Sequence, residues 1–464
     1  MRELSVQEGS AHPSAGGLRE MLAIALPMVV SQGCETVMIF TDRLFLSRLG
    51  PVTMSAAMAG GLSSFMLMTF FIGLIGYTTA LVAQYLGAGR KGQCALVLAQ
   101  AALLALLATP LVLAARPLVH DLFAVMAIPA EQLAEQRLYF DILVYGTPLA
   151  LLRTALAGFF SGLGRTRVVM LSALTAMVVN VAANYALIFG HFGLPPLGIR
   201  GAGYGTLVGS LCGLLVLTAV YLRRANRTEF AVAAALRFDR VVMGKLLRYG
   251  SPAGVELFLN LIAFTIVILL FHSHGLVTAT AVTIVFNWDM VSFVPLLGIQ
   301  IGVVSLVGRY MGAGRPEIAA RATRSGLKMA WAYSSVILVL FVAFSEPLVA
   351  VFHPRDADAI FAEAAPLAAG MLQLASLYVL ADAMMVVFSG ALRGAGDTFW
   401  AMCLSVAMHW LLVPVLAICL TVLELPPQTA WLVLIVFFLV FSGLFYGRYR
   451  SGKWRTLAVI RESI

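Results

Sequence analysis

The chain has 464 residues, 61% of them hydrophobic and 11% charged, with a formal net charge of +9 and a mean hydropathy of +0.94. A water-facing surface needs about 25% charged residues, so this composition excludes soluble enzymes, secreted disulfide scaffolds and nucleic-acid-binding domains as leading readings. What it describes is an integral membrane protein, and its continuous apolar runs predict helices rather than the alternating strands of a transmembrane barrel.

In chain order, residues 1–17 form a polar tail with no cleavable signal peptide. Twelve predicted spans follow, at 18–46, 52–86, 93–115, 132–160, 167–189, 202–222, 243–271, 278–308, 317–345, 365–391, 399–420 and 429–447. Residues 18–222 make an N-lobe, 223–242 a basic linker, 243–447 a C-lobe and 448–464 a second tail. Cys34, Cys94, Cys212, Cys403 and Cys419 are widely spaced within apolar segments, which reads as small core residues without redox or metal chemistry.

Sorted by side, 24 of the 31 Lys and Arg fall at the tails and on the loops of the same face. They include Arg2, Arg19, Arg90, Lys91, Arg165, Arg167, the runs Arg223–Arg248 and Arg309–Lys328, Arg393 and the terminal group Arg448–Arg461. Arg43, Arg48, Arg116, Arg137, Arg200 and Arg355 lie opposite, and Arg153 lies inside a span. The positive-inside rule then places both termini in the cytoplasm and attributes the basic balance to topology rather than to an acidic partner.

Residues 27–90 align without a gap on 252–315, pairing Pro27 with Pro252, Gly50 with Gly275, Gly73 with Gly298 and QYLGAGR with RYMGAGR. A second match sets GFFSGLGRT (158–166) beside GALRGAGDT (390–398). A frame of this length is a duplication. Six spans per unit insert both copies in the same orientation, giving parallel lobes about an axis along the membrane normal, with a cavity between them. The expected fold is therefore all-α and integral to the membrane, with twelve transmembrane helices in two parallel six-helix lobes around a central cavity. The Gly-rich segments read as tight helix-ending turns. Pro27 and Pro252 are expected to bend the first helix of each lobe.

Five acidic residues fall within the apolar zone: Glu35, Asp42, Glu256, Asp289 and Asp382. Each costs of order 2.5–3.5 kcal/mol or more at a helix centre, so each needs a partner or a function. Depth along the helices puts Asp42, Asn180, Asn184, Tyr139 and Thr206 at similar height in the N-lobe. Together they offer oxygens for a hard monovalent cation or a hydrogen-bonded chain around a titrating carboxylate. Glu35, seven residues before Asp42, shares nearly the same face and offers a further charge. In the C-lobe, Glu256 and Asp289 lie at comparable depth, and with Asp382 they suggest an acidic site for an ion or a cationic substrate. Arg153 is expected to meet a nearby acid or to snorkel, and His409 to be a hydrogen-bonded core residue. No Walker motif occurs, so neither ATP hydrolysis nor any cofactor is expected.

Two six-span repeats, QYLGAGR after the second span, and GLGRTR and LRGAGDT after the fourth and tenth make the chain resemble the multidrug and toxic compound extrusion (MATE) family, mixing features of its NorM-like and DinF-like branches. The resemblance runs from about Leu18 to Arg450. It implies a monomeric antiporter of the bacterial inner membrane that expels amphipathic, often cationic organic compounds in exchange for inward Na⁺ or H⁺. It also implies an N-lobe cation site at Asp42, Asn180, Asn184, Tyr139 and Thr206, with Na⁺ as a candidate ligand of Asp42, Asn180, Asn184 and Thr206. The resemblance matches Asp382, eleven residues before Arg393, to the family's tenth-helix acid, and finds Asn260 where a seventh-helix Glu is usual. The rival within the same broad superfamily is a flippase for lipids or lipid-linked saccharides, which needs several cavity cations for diphosphate headgroups.

Overall fold

A computed structural model describes residues 15–126, 128–353, 359–457 and 459–460. Arg2, Arg355 and Arg461 of the charge assignment, with most of the first tail, lie outside the described residues. Twelve spans follow in the predicted order. The first lobe consists of α1 (Leu18–Ser47), α2 (Pro51–Gly87), α3 (Lys91–Val125), α4 (Ala130–Tyr145 and Thr147–Gly162), α5 (Thr166–Phe189) and α6 (Ile199–Tyr221). The second consists of α7 (Arg240–His272), α8 (Leu276–Gly312), α9 (Pro316–Ala343), α10 (Ala359–Ala395), α11 (Thr398–Val422) and α12 (Pro427–Arg450). Among the described residues there are no strands.

The repeat seen in the sequence is repeated in backbone conformation. Gly89, Gly164, Gly314 and Gly396 all have positive φ. After each one, the next residue's N–H reaches back to the carbonyl five residues earlier: Arg90 to Tyr85, Arg165 to Phe160, Arg315 to Tyr310 and Asp397 to Leu392. These are four Schellman endings at equivalent places, so the turns terminate helices as the Gly-rich motifs predict. The pseudo-symmetry extends to the seam between lobes. A Cβ on Gly87 would stand 1.8 Å from the Arg309 carbonyl oxygen, and one on Gly312 would stand 1.9 Å from that of Gln84. Gln84 and Arg309 are themselves repeat equivalents, so the two copies interlock reciprocally.

The hydrogen bonds that join the lobes lie in the half nearer the termini. Ser305 donates to the Ser161 carbonyl at 2.7 Å, Gln84 to that of Gly394 at 2.8 Å and Arg309 to that of Leu163 at 2.8 Å. The Tyr310 hydroxyl meets Glu20 at 2.7 Å. Small residues fill the same seam, where Gly298 and Gly302 of α8 pack on α1 and Gly73 of α2 packs on α7. The lobes are thus clasped on the side of the termini.

Not every span is a simple rod. The predicted fourth span is bent by 45° between its two helices. Pro148 lacks the N–H that would bond the Val144 carbonyl, which the Thr147 hydroxyl takes at 2.6 Å. Pro27 and Pro252, in contrast, sit inside the uninterrupted helices α1 and α7. The linker is not a bare basic connection, since it forms short helices Arg224–Glu229 and Val232–Ala235. Glu229 bridges Lys91 at 3.0 Å and Arg165 at 2.8 Å, and Asn226 accepts from Arg165 at 2.6 Å. The second lobe mirrors this clamp with opposite charge. Asp397, at the place of Arg165, takes a two-pronged pair from Arg448 at 2.7 and 3.0 Å.

Candidate functional site

The N-lobe cluster forms where α1, α4, α5 and α6 converge. Asn180 and Asn184 stand one turn apart on α5 with no exposed surface, and Tyr139 of α4 is buried beside them. Close approach of α6 makes this possible. Gly201, Gly205, Gly209 and Gly213, spaced four apart, lie along α5, and a Cβ on Gly205 would fall 1.9 Å from Asn184 Oδ1. On Gly209 it would fall 2.8 Å from the Asn180 Cβ. Sequence reasoning missed this stripe, although its small-xxx-small spacing was a readable signal.

Within the cluster the Asn184 amide donates to Asp42 Oδ1. Thr206 lies 3.3 Å from Asp42 Oδ2 and receives the Asn180 amide at 3.4 Å. A carboxylate only accepts, so the Asn184 nitrogen must face it and the amide oxygen must point away. Asn184 Oδ1, and Asn180 Oδ1 beside it, are buried with no hydrogen-bond partner among the described residues. Two orphaned carbonyl oxygens, a carboxylate and a hydroxyl form a donor set that suits a hard cation.

Glu35 does not join this group, which corrects the expectation that it adds charge there. Seven residues advance the helix by ~10.5 Å, and the Glu35 carboxylate is taken by Arg153 of α4 at 2.5 Å. The pair is partly exposed, at 34% for Glu35 and 25% for Arg153. Arg153 thereby meets an acid, one of the two outcomes expected for it.

In the C-lobe the single acidic site expected from Glu256, Asp289 and Asp382 is divided. Asp289 of α8 accepts from the Tyr378 hydroxyl at 2.6 Å. Asp382 lies one turn beyond Tyr378 on α10 and has a buried Oδ1 without a partner among the described residues. Glu256 instead pairs with Arg393 at 2.8 Å, leaving its Oε2 buried and unpartnered. Sorting charges by side puts Arg393 on a loop, but in the structure it occupies the last turn of α10 and its long side chain folds back into the lobe to reach Glu256. Asn260 donates to Ser405 at 2.7 Å, and His409 meets the Ser405 carbonyl at 2.8 Å, so both belong with Glu256 rather than with the acid pair. Tyr378, four residues before Asp382, was overlooked; its one-turn spacing was the available clue.

Two duplicated helical lobes, clasped on one side and carrying carboxylates and amides at membrane depth, define a membrane transporter. The MatE family model matches residues 27–186 and 252–418, one stretch in each lobe, and the chain belongs to the multidrug and toxic compound extrusion family. It is a transporter of small molecules, embedded in a membrane, and not an enzyme. The chain is 31% identical over 402 residues to the multidrug resistance protein PmpM of Pseudomonas aeruginosa, covering 85% of this chain and 82% of that one. It is 30% identical over 400 residues to a probable multidrug resistance protein NorM of Shewanella oneidensis, covering 84% of each. Among solved structures, a MOP superfamily transporter from Pyrococcus furiosus superposes with a TM-score of 0.86 at 18% identity, covering 97% of this chain and 100% of that chain. A MATE protein in complex with MaL6 superposes with the same score at 19% identity, covering 95% and 97%. At those identities the match speaks for the fold.

Proposed function

We propose that this chain is a secondary antiporter that exports amphipathic, mostly cationic organic compounds in exchange for inward Na⁺ or H⁺. Its relatives named for multidrug resistance support the export of drugs. The observation that carries the coupling reading is the Asp42 carboxylate beside the two buried, unpartnered amide oxygens of Asn180 and Asn184. A cation entering there gains the oxygens that the protein leaves unsatisfied, and a proton on Asp42 removes the charge outright. Either event changes the bonds that tie α1 to α5 and α6, and so biases the packing of the N-lobe between two access states. Asp289 and Asp382 form a second negative locus, suited to a coupling ion or to the positive group of a substrate. Pro27 and Pro252 are hinge candidates, since each removes one backbone bond from its helix.

The reading places both termini in the cytoplasm and the chain, as a monomer, in a bacterial inner membrane. Energy comes from the ion gradient, at about 2.3 kcal/mol per charge for each 100 mV, with no cofactor. The flippase alternative loses support because Arg153 and Arg393, the cations within the lobes, are already matched by Glu35 and Glu256.

The test is ion flux in proteoliposomes on addition of ethidium. The wild-type chain moves Na⁺ or H⁺ against ethidium, while Asp42→Asn, inserted to the same level, does neither. Undiminished exchange by Asp42→Asn refutes the assignment.

A further inference from the structure

We propose that the termini-side face of α9 is a binding site for the phosphate of an anionic phospholipid headgroup, held by Arg321, Arg324 and Lys328. These three residues lie at i, i+3 and i+7, so they share one helix face, and all are exposed. With Ser325 they line a concavity of about 320 Å³. Among the described residues none of the three meets a carboxylate. Arg321 reaches only the Ala15 carbonyl, at 3.5 Å, and Ser325 is occupied by the Gly16 carbonyl at 2.8 Å.

The same helix continues into the membrane. Val339, eleven residues after Lys328, shares its face; Trp331, Val336 and Val339 are 40%, 58% and 56% exposed, and the Trp331 indole N–H meets the Leu380 carbonyl at 3.3 Å. Cations, then an indole, then aliphatic side chains is the order in which a lipid presents phosphate, glycerol region and acyl chain. A free phosphate would use only the upper part of this face.

Membrane topology alone does not account for the three charges. The repeat equivalents on α3, at an offset of 225, are Leu96, Ala99 and Leu103. That helix starts on the same side, in the same orientation, yet carries no cation on the corresponding face. There Leu96 is buried, on a cavity it shares with linker residues Ala234, Ala235 and Arg237 and with Arg90 and Lys91 at the start of the helix. On this helix face the two copies have therefore diverged, the first carrying apolar side chains and the second, among the described residues, three exposed cations.

The experiment uses the full chain, delipidated in detergent and titrated with dioleoyl phosphatidylglycerol or dioleoyl phosphatidylcholine, with retained lipid counted by native mass spectrometry. The wild type is expected to retain phosphatidylglycerol over phosphatidylcholine, and the triple variant R321Q/R324Q/K328Q to lose at least about tenfold of that retention, since each surface cation adds measurably to anionic-lipid attraction. Should the triple variant not elute as folded protein, Arg324→Gln alone is expected to give a severalfold loss. Equal retention of both lipids, or unchanged retention by the folded variants, overturns the proposal. Inorganic phosphate that raises the wild-type unfolding temperature without lipid preference assigns the face to free phosphate, and overturns it too.

Discussion

Asn184 gives its amide nitrogen to Asp42 while its amide oxygen, buried against Gly205, meets no donor. The bond fixes the orientation of the amide, and the orientation leaves the oxygen free. Gly205→Ala would place a methyl group 1.9 Å from that oxygen. Asn184 then has to leave Asp42 or α6 has to move away. The expected result is a loss of stability of about 1–3 kcal/mol together with weaker Na⁺ or H⁺ binding. Thermal unfolding and ion titration measure both, with Gly443→Ala, which faces open space, as the silent control.

Arg153→Gln strands the Glu35 carboxylate at membrane depth. Breaking a fully buried pair costs about 3–5 kcal/mol. Here both side chains are partly exposed, so the expected loss is smaller, roughly 1–3 kcal/mol. The double variant E35Q/R153Q should recover most of it, because no lone charge remains. A double-mutant cycle on unfolding free energy decides, and equal losses in single and double variants would speak against the pairing.

Reciprocal contact of Gly87 with Arg309 and of Gly312 with Gln84 leaves no room for a side chain. Gly312→Ala should therefore spread the seam on the termini side and favour the state open there. Spin labels at positions 92 and 317, in a chain whose native cysteines are replaced, are expected to report longer distances than in the parent. An unchanged distance distribution would show that the seam absorbs the methyl group.

Burial pushes the Glu229 carboxyl up, but hydrogen bonds from Lys91 and Arg165 outweigh it and hold the group below its ordinary value of 4.5. A depressed carboxylate contributes stability that is complete above that ordinary value and is lost as pH falls through the lower, folded one. As pH falls below that ordinary value and through the lower, folded one, the linker helix should loosen from the N-lobe. Arginine-specific cleavage within 223–237 should then rise in acid, once corrected for protease activity, and Glu229→Gln should show the raised cleavage already at pH 7.

Membrane class, span count, duplication and helix-ending turns were all legible in the linear chain, because each depends on local composition or on short-range periodicity. Apolar runs of span length have few alternatives in a bilayer, and an ungapped repeat of 64 residues transfers one copy's turns to the other. The grouping of Asp42 with Asn180, Asn184, Tyr139 and Thr206 was reachable too, since depth along regular helices is simple arithmetic.

Azimuth and partner choice were not. Glu35 and Asp42 are close to one face by periodicity, yet a guanidinium from another helix claims the first and an amide the second. Glu256, Asp289 and Asp382 were expected to form one acidic site, yet Arg393 draws the first away from the other two. The sequence alone determined that acids lie in the membrane and roughly how deep. Only the packing of twelve helices decided which are neutralised by arginine and which keep free oxygens, because side-chain pairing depends on helix rotation and spacing, and these are set by contacts such as those of Gly205 and Gly312 between elements far apart in the chain.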